Sequence, residues 1–355
     1  MTTEELFQRA LKVSPPREIA ARLGLHANTV RRWMKRRRVP GSYRGDFLRV
    51  LGMQYCGGSA RDKDQFFTKP EIAEKCFKSF CAVAKNLGAN LGAYHFIEPS
   101  AGDGGFYQLL PKNRRTGIDI EPIANAPDGG EIIRRDYLTW MPKTSAENLR
   151  YAVIGNPPFG LRGHLALQFI NHSQKFADLV GFILPPLFDS DGKGAAGKRV
   201  RGFHLAHTEK LPDGAFAYPD GRAVNVACIF QVWSKIGAEK IRQPRRRTCA
   251  EFIKVYSLSD GGTPSSTRNK KMLHACDLYM PSTCFSGMTL YRDFESLPQR
   301  RGYGVVIHKR KRDILRLLKK TDWSKAAFTS TNGALNLRAS LIEKVVTEGN
   351  FYDGK

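Results

Sequence analysis

The residues best placed to do chemistry stand together at positions 151–160, Tyr-Ala-Val-Ile-Gly-Asn-Pro-Pro-Phe-Gly, an apolar run followed at once by an amide, two prolines and an aromatic ring. The run reads as a strand, so Asn156, Pro157, Pro158 and Phe159 fall at its carboxyl end. An amino group attached to an aromatic ring is a poor nucleophile, because its lone pair is delocalised into the ring. The side-chain oxygen of Asn156 and the carbonyl of Pro157 supply two acceptors for its N–H bonds, which favours a more tetrahedral nitrogen and aims it. Consecutive prolines stiffen the loop that carries those acceptors, and the Phe159 ring offers a face on which a planar base stacks. No side-chain nucleophile is required.

A second constellation lies upstream. Residues 97–106, Ile-Glu-Pro-Ser-Ala-Gly-Asp-Gly-Gly-Phe, read as a strand ending in a turn of small residues. Ser100, Ala101, Gly102 and Gly104 let backbone approach a ligand closely. The next apolar run ends in Gly-Ile-Asp-Ile-Glu-Pro at 117–122. This puts Asp119 about twenty residues beyond the turn, where an acid accepts both hydroxyl hydrogens of a ribose. Turn and acid in that order point to a nucleoside-type cofactor, and by themselves leave NAD and S-adenosylmethionine (AdoMet) both open.

The Asn-Pro-Pro-Phe turn decides between them through a family likeness. Residues 64–235 resemble the gamma-class N6-adenine DNA methyltransferases, the group typified by many restriction-modification enzymes. Phe66-Phe67-Thr68-Lys69-Pro70-Glu71-Ile72-Ala73 is similar to the motif placed before the glycine turn in that class, with Lys69 between Thr68 and Pro70 where many members have Thr-Pro directly. The resemblance implies AdoMet as cofactor. It implies that Thr68 and the helix it starts help to hold AdoMet. Glu98, Ser100 and the backbone from Ala101 to Gly104 would meet the methionine end, Asp119 the ribose, and Asp136 the adenine amino group, with Ile120 and Tyr137 flanking its ring. Asn156 would border the cofactor as well as the target. Phe159 and Tyr218 would stack the flipped base, with Phe216 as the alternative to Tyr218.

The implied activity is methyl transfer from AdoMet to N6 of adenine in duplex DNA. Asn-Pro-Pro-Phe does not distinguish DNA from RNA, so an RNA adenine-N6 methyltransferase is the nearest rival. Glutamine-N5 protein methyltransferases and cytosine-N4 enzymes are chemically close, and neither explains basic flanks on both sides so simply. From a different class, a DNA-binding regulator could keep a degenerate methyltransferase domain as a ligand sensor; intact Asn156, Asp119 and Gly102 argue against it.

These residues need a scaffold that gathers strand ends. Apolar runs at 94–97, 116–120, 151–154, 179–184 and 224–232 alternate with helical patterns, the rhythm of a doubly wound, mostly parallel, Rossmann-like α/β sheet. Ligands bind such sheets at the carboxyl ends of the strands. Ahead of this domain, Ser14-Pro15-Pro16 caps a helix that Gly24 breaks before a second helix begins near Asn28. Ile19, Ala20, Leu23, Gly24, Leu25, Val30 and Trp33 resemble the bacterial helix-turn-helix pattern. That family's docking geometry implies that His26, Asn28, Arg31, Arg32 and Lys35 face DNA. The expected organisation is therefore an all-α helix-turn-helix region at 1–55, the AdoMet-dependent methyltransferase domain at 60–243, and a basic substrate-recognition region at 244–355.

Charge and composition fit this division. The chain of 355 residues has 57 Lys plus Arg against 33 Asp plus Glu, a net +24. Residues 1–60 hold 12 bases and 4 acids, 61–240 hold 23 and 19, and 241–355 hold 22 and 10. Basic ends around a nearly balanced centre suit a polyanionic partner. With 41% hydrophobic residues the chain can fold, and it lacks the run of about 18 apolar residues that a bilayer span requires. Seven cysteines without paired CxxC spacing suggest neither a disulfide framework nor a metal site. Acids at Glu4 and Glu5 and no apolar signal core point to the cytoplasm, of a bacterium or of a phage's host.

Overall fold

Strand formation in this chain follows a two-residue alternation that buries both faces of one sheet. A computed structural model of the protein describes residues 1–53, 66–122, 130, 132–143, 149–190, 195–218, 221–224, 226–238, 247–263, 266–285, 287–329 and 334–354. It divides into two compact units, residues 1–189 with 194–241, and residues 190–193 with 242–355.

The first unit opens with helices α1 (Thr3–Val13), α2 (Pro16–Arg22), α3 (Ala27–Arg36) and α4 (Arg44–Val50). Thr2 and Glu5 form a reciprocal capping box at the start of α1. Pro16 occupies the first turn of α2, where its missing N–H costs nothing. Gly24 turns the chain at a φ of +63°, and the His26 ring then accepts the Asn28 N–H at 3.2 Å to start α3. Ile19, Ala20, Leu23, Val30 and Trp33 are buried, and they share a core with Leu6, Phe7 and Phe47 from the two outer helices. Those outer helices, α1 and α4, were not foreseen.

Next come β1 (Phe67–Thr68), α5 (Pro70–Asn86), β2 (Tyr94–Glu98), β3 (Arg115–Asp119), β4 (Ile132–Arg134), β5 (Arg150–Gly155), α6 (His164–Ser173), β6 (Ala177–Leu184), β7 (His204–Lys210), β8 (Phe216–Ala217), β9 (Ala223–Val224) and β10 (Ile229–Ser234). Seven strands form one mostly parallel sheet in the order β4-β3-β2-β5-β6-β10-β7. β10 runs antiparallel to both β6 and β7. Tyr94, Phe96, Ala152, Ile154, Leu179, Ile183, Phe230 and Val232 point to the face covered by α5. Ile97, Val153, Val180, Phe182, Leu184 and Trp233 point to the face covered by α6. Burial on both faces explains why these strands read as continuous apolar runs.

Two strand expectations differ from the structure. The run at 224–232 is not one strand: β9 pairs with β8 in a small separate sheet, while β10 enters the main one; Asn225 between them lies outside the described residues. β7 was not foreseen, because His-Leu-Ala-His-Thr-Glu-Lys is polar along an edge strand that water reaches.

The second unit has its own core. β11 (Ile253–Ser259), β12 (Leu278–Pro281) and β14 (Arg301–Ile307) form an antiparallel sheet, and β13 (Thr283–Cys284), β15 (Phe328–Thr329) and β16 (Leu335–Asn336) form a smaller one. Helices α7 (Lys311–Lys320), α8 (Trp323–Ala326) and α9 (Ala339–Glu348) complete it. Ile314, Leu318, Ile342 and Val346 pack with Ile253, Met280 and Val305, which leaves Arg312, Arg316, Lys319 and Lys320 exposed on α7. Among the described residues, no helix is long and apolar enough to cross a membrane.

Candidate active site

In the seven-stranded sheet the chain leaves β2 toward β3 and β4 on one side and returns to β5 and β6 on the other. The reversal makes the carboxyl ends of β2 and β5 the topological switch point, where α/β sheets hold ligands. Glu98 ends β2, Gly155 ends β5, and Asn156 follows directly. The two ends are stitched together by the Ser100 hydroxyl, which donates to the Asn156 main-chain oxygen at 2.9 Å.

The small-residue turn is tied to β3 as well. Ala101 N–H donates to the Ile118 carbonyl at 2.9 Å, and Gly102 N–H donates to Asp119 Oδ2 at 2.8 Å. Asp119 Oδ1 accepts the Glu121 N–H at 2.8 Å. Each Asp119 oxygen thus keeps a lone pair for a further donor. Gly102 sits at a φ of +51°, and a Cβ there would lie 3.3 Å from the Phe67 ring, so two separate constraints select glycine.

Among the described residues, three buried oxygens at this end of the sheet lack a hydrogen-bond partner: Thr68 Oγ1, Glu98 Oε2 and Asn156 Oδ1. Each such group costs about 1–3 kcal/mol of desolvation that a ligand donor would recover. Four of the other unsatisfied atoms among the described residues, on His207, Glu209, Gln231 and Trp233, lie on β7 and β10, beyond β6 from the switch point. Burial pushes the Glu98 carboxyl well above the usual carboxylate range; N–H groups of Tyr107 and Phe106 oppose this, while the charges of Asp103 and Asp119 add to it. Asp103 is raised by burial too.

The aromatic residues divide into core and rim. Phe159 is 6% exposed and meets the Phe66 ring edge-on at 5.4 Å, with Phe66 in turn 5.0 Å from Phe216. Thr68 pairs with Phe216 across β1 and β8, so one short sheet carries both the orphaned hydroxyl and the aromatic wall. Phe216 is fully buried, in the same core cluster as Phe159. Tyr218 is half-buried, its N–H donating to the Arg222 carbonyl at 2.8 Å, with the Arg222 guanidinium 5.5 Å from its ring centroid. The role of Phe66 as the ring joining Phe159 to Phe216 was missed, although its place two residues before Thr68 was the available signal.

Asp136 follows β4, accepting the Leu138 N–H through Oδ1 at 3.0 Å and Arg49 Nε through Oδ2 at 2.5 Å. Ile120 is half-buried beside Asp119. Tyr137 is placed differently from its implied role: its side chain is 1% exposed, its hydroxyl shares a 2.6 Å hydrogen bond with Ser173 Oγ, and its ring packs on Phe169 and His172. The side chain belongs to the core beneath α6. Along α3, His26, Asn28, Arg31, Arg32 and Lys35 are all exposed, and Arg31 Nη1 donates to Asn28 Oδ1 at 3.1 Å.

No family model matches this chain, and no curated protein does. Among solved structures, it is similar to a candidate RNA methyltransferase from Pyrococcus horikoshii at 18% identity and a TM-score of 0.35, over 49% of this chain and 88% of that one. A candidate class I S-adenosylmethionine-dependent methyltransferase from Listeria monocytogenes matches at 13% identity and a TM-score of 0.36, over 58% of this chain and 70% of that one. A type IIL restriction-modification enzyme solved in complex with DNA matches at 9% identity and a TM-score of 0.45, over 86% of this chain and 73% of that one.

Proposed function

We propose that this chain is an AdoMet-dependent methyltransferase acting on the N6 amine of adenine in DNA. The observation that carries the reading is Asn156 Oδ1, a buried acceptor with no partner, held on a proline-stiffened turn at the switch point. A conjugated amine needs such an acceptor, fixed before it arrives. The Ser100 bond to the Asn156 carbonyl holds that turn against the small-residue loop, so target and cofactor sites share one rigid edge.

The residues present fit AdoMet. Glu98 offers a buried, unsatisfied oxygen for a cationic amine, Thr68 a buried hydroxyl, the backbone of Ala101 to Gly104 a close approach, and Asp119 spare lone pairs for a ribose. Asp136 is the acceptor assigned to the adenine amino group. When bound, AdoMet supplies the electrophilic methyl group. Asn156 and Pro157 orient the amine through its two N–H bonds, while Pro158 fixes the loop; Phe159 and Tyr218 wall the flipped base. Residues 1–55 and 244–355 hold the duplex through their excess of Lys and Arg, the first as a helix-turn-helix and the second as the target-recognition region.

The test is methyl transfer from labelled AdoMet to matched pools of duplex DNA, single-stranded DNA, RNA and protein, followed by digestion and identification of the product. Label in N6-methyldeoxyadenosine from duplex DNA is expected. Label confined to RNA or to protein would overturn the assignment.

A further inference from the structure

Helix α4 reaches from outside the sheet to the edge of the proposed cofactor site. Asp46 and Arg49, three residues apart, lie on one face of it. Asp46 is buried and accepts from three directions: it pairs with His164 Nε2 at 2.8 Å, Gln168 Nε2 at 3.2 Å and Arg49 Nη1 at 3.5 Å. His164 and Gln168 belong to α6, the helix that follows the Asn-Pro-Pro-Phe turn. Held in this way, Arg49 extends Nε to Asp136 Oδ2 at 2.5 Å, with the two side chains only 17% and 21% exposed.

Among the described residues, Arg49 is the cation paired with Asp136, and it arrives from 87 residues upstream. His172 also feels the Asp136 charge, but its own pKa is lowered by burial and its Nε2 bonds the Trp140 carbonyl at 2.7 Å. With Leu138 N–H on one oxygen and Arg49 on the other, the carboxylate cannot turn, while each oxygen keeps a lone pair. We propose that Arg49 is a positioning residue for the cofactor: the N-terminal helices complete the AdoMet site by fixing its adenine acceptor. This rests on the reading that Asp136 faces the AdoMet adenine.

The experiment is AdoMet binding by calorimetry on the full chain, with Arg49→Ala, Arg49→Lys, Asp136→Asn and the double variant Arg49→Ala/Asp136→Asn, each also melted to check folding. Arg49→Ala is expected to weaken AdoMet binding about tenfold. It should raise the KM for AdoMet with little change in kcat at saturation, and Arg49→Lys should recover part of the loss. Adding Arg49→Ala to Asp136→Asn should cost nothing more, because the effect travels through the carboxylate. An Arg49→Ala penalty of equal size in both backgrounds would mean that the residue only docks the helices, and overturns the proposal. Wild-type binding by Arg49→Ala alongside weak binding by Asp136→Asn overturns it as well, whereas wild-type binding by Asp136→Asn overturns the assignment of Asp136 itself. If Arg49→Ala does not fold, Arg49→Gln enters the same cycle.

Discussion

A side-chain amide oxygen buried without a partner is costly to keep, and Asn156 keeps one at the point where β5 ends. On the proposed reading this acceptor is fixed in advance for the amine, so its loss belongs to the transition state more than to binding. Asn156→Ala should lower single-turnover methyl transfer by about 10²–10³-fold, in line with removal of one preorganised polar group. AdoMet and DNA affinities should stay close to wild type; comparable turnover in the variant would remove this residue from the mechanism. Glu98 gives a second prediction, argued from its raised pKa. Burial favours the neutral form of the folded carboxyl, and a bound ammonium would favour the ionised form. AdoMet binding should therefore release a proton, and affinity should rise with pH; calorimetry in two buffers of different ionisation heat measures both. The linkage to stability has the opposite sign. Since the folded value lies above the unfolded one, stability falls as pH climbs from the ordinary glutamate range toward the folded value. Glu98→Gln should thus melt higher than wild type near neutrality and release no proton on binding, and proton uptake by wild type would contradict the account.

Elements set where these residues meet, and the turn after β2 is the most exacting of them. Gly102→Ala would place a Cβ 3.3 Å from the Phe67 ring at a positive φ, costing about 1–2 kcal/mol for the backbone alone. Because the Gly102 N–H also holds Asp119, AdoMet affinity should fall together with a melting temperature lower by a few degrees, about 2–4 °C per kcal/mol for a unit of this size. Unchanged AdoMet binding would show that the turn lies away from the cofactor. Much of this geometry was legible in the sequence. Strands buried on both faces read as apolar runs, and the turns after them must be small, acidic or proline-rich to approach a ligand. Other features left little local trace. β7 is a polar edge strand, recognisable only by its pairing with β10. The inward turn of Tyr137 depends on Ser173 and Phe169, supplied by a helix more than thirty residues later. The docking of α4 depends on His164 and Asp136, which no local pattern joins to Asp46 and Arg49.

For the whole molecule, a net charge of +24 is an argument about partners, and its distribution makes the argument testable. The exposed bases of α3 and α7 belong to different compact units, each with its own core. If the first holds the duplex through phosphates, replacing Arg31, Arg32 and Lys35 together by alanine should weaken DNA binding on every sequence alike. The slope of log K against log salt should become shallower by about 0.9 for each phosphate that is no longer neutralised. Catalysis at low salt and saturating DNA should persist, since none of the three lies at the switch point. Alanine at Arg312, Arg316, Lys319 and Lys320 tests the second surface, which on the proposed reading belongs to target recognition. These residues project from α7 opposite the buried Ile314 and Leu318, so their removal should spare the fold. If they meet phosphates, affinity should drop uniformly with a shallower salt slope, whereas hydrogen bonds to base edges would cost about 1–3 kcal/mol at particular positions and relax site choice there. Methylation mapped over a random-sequence duplex library separates the two outcomes, and a variant with unchanged salt slope and unchanged site preference would leave that helix without a part in holding DNA.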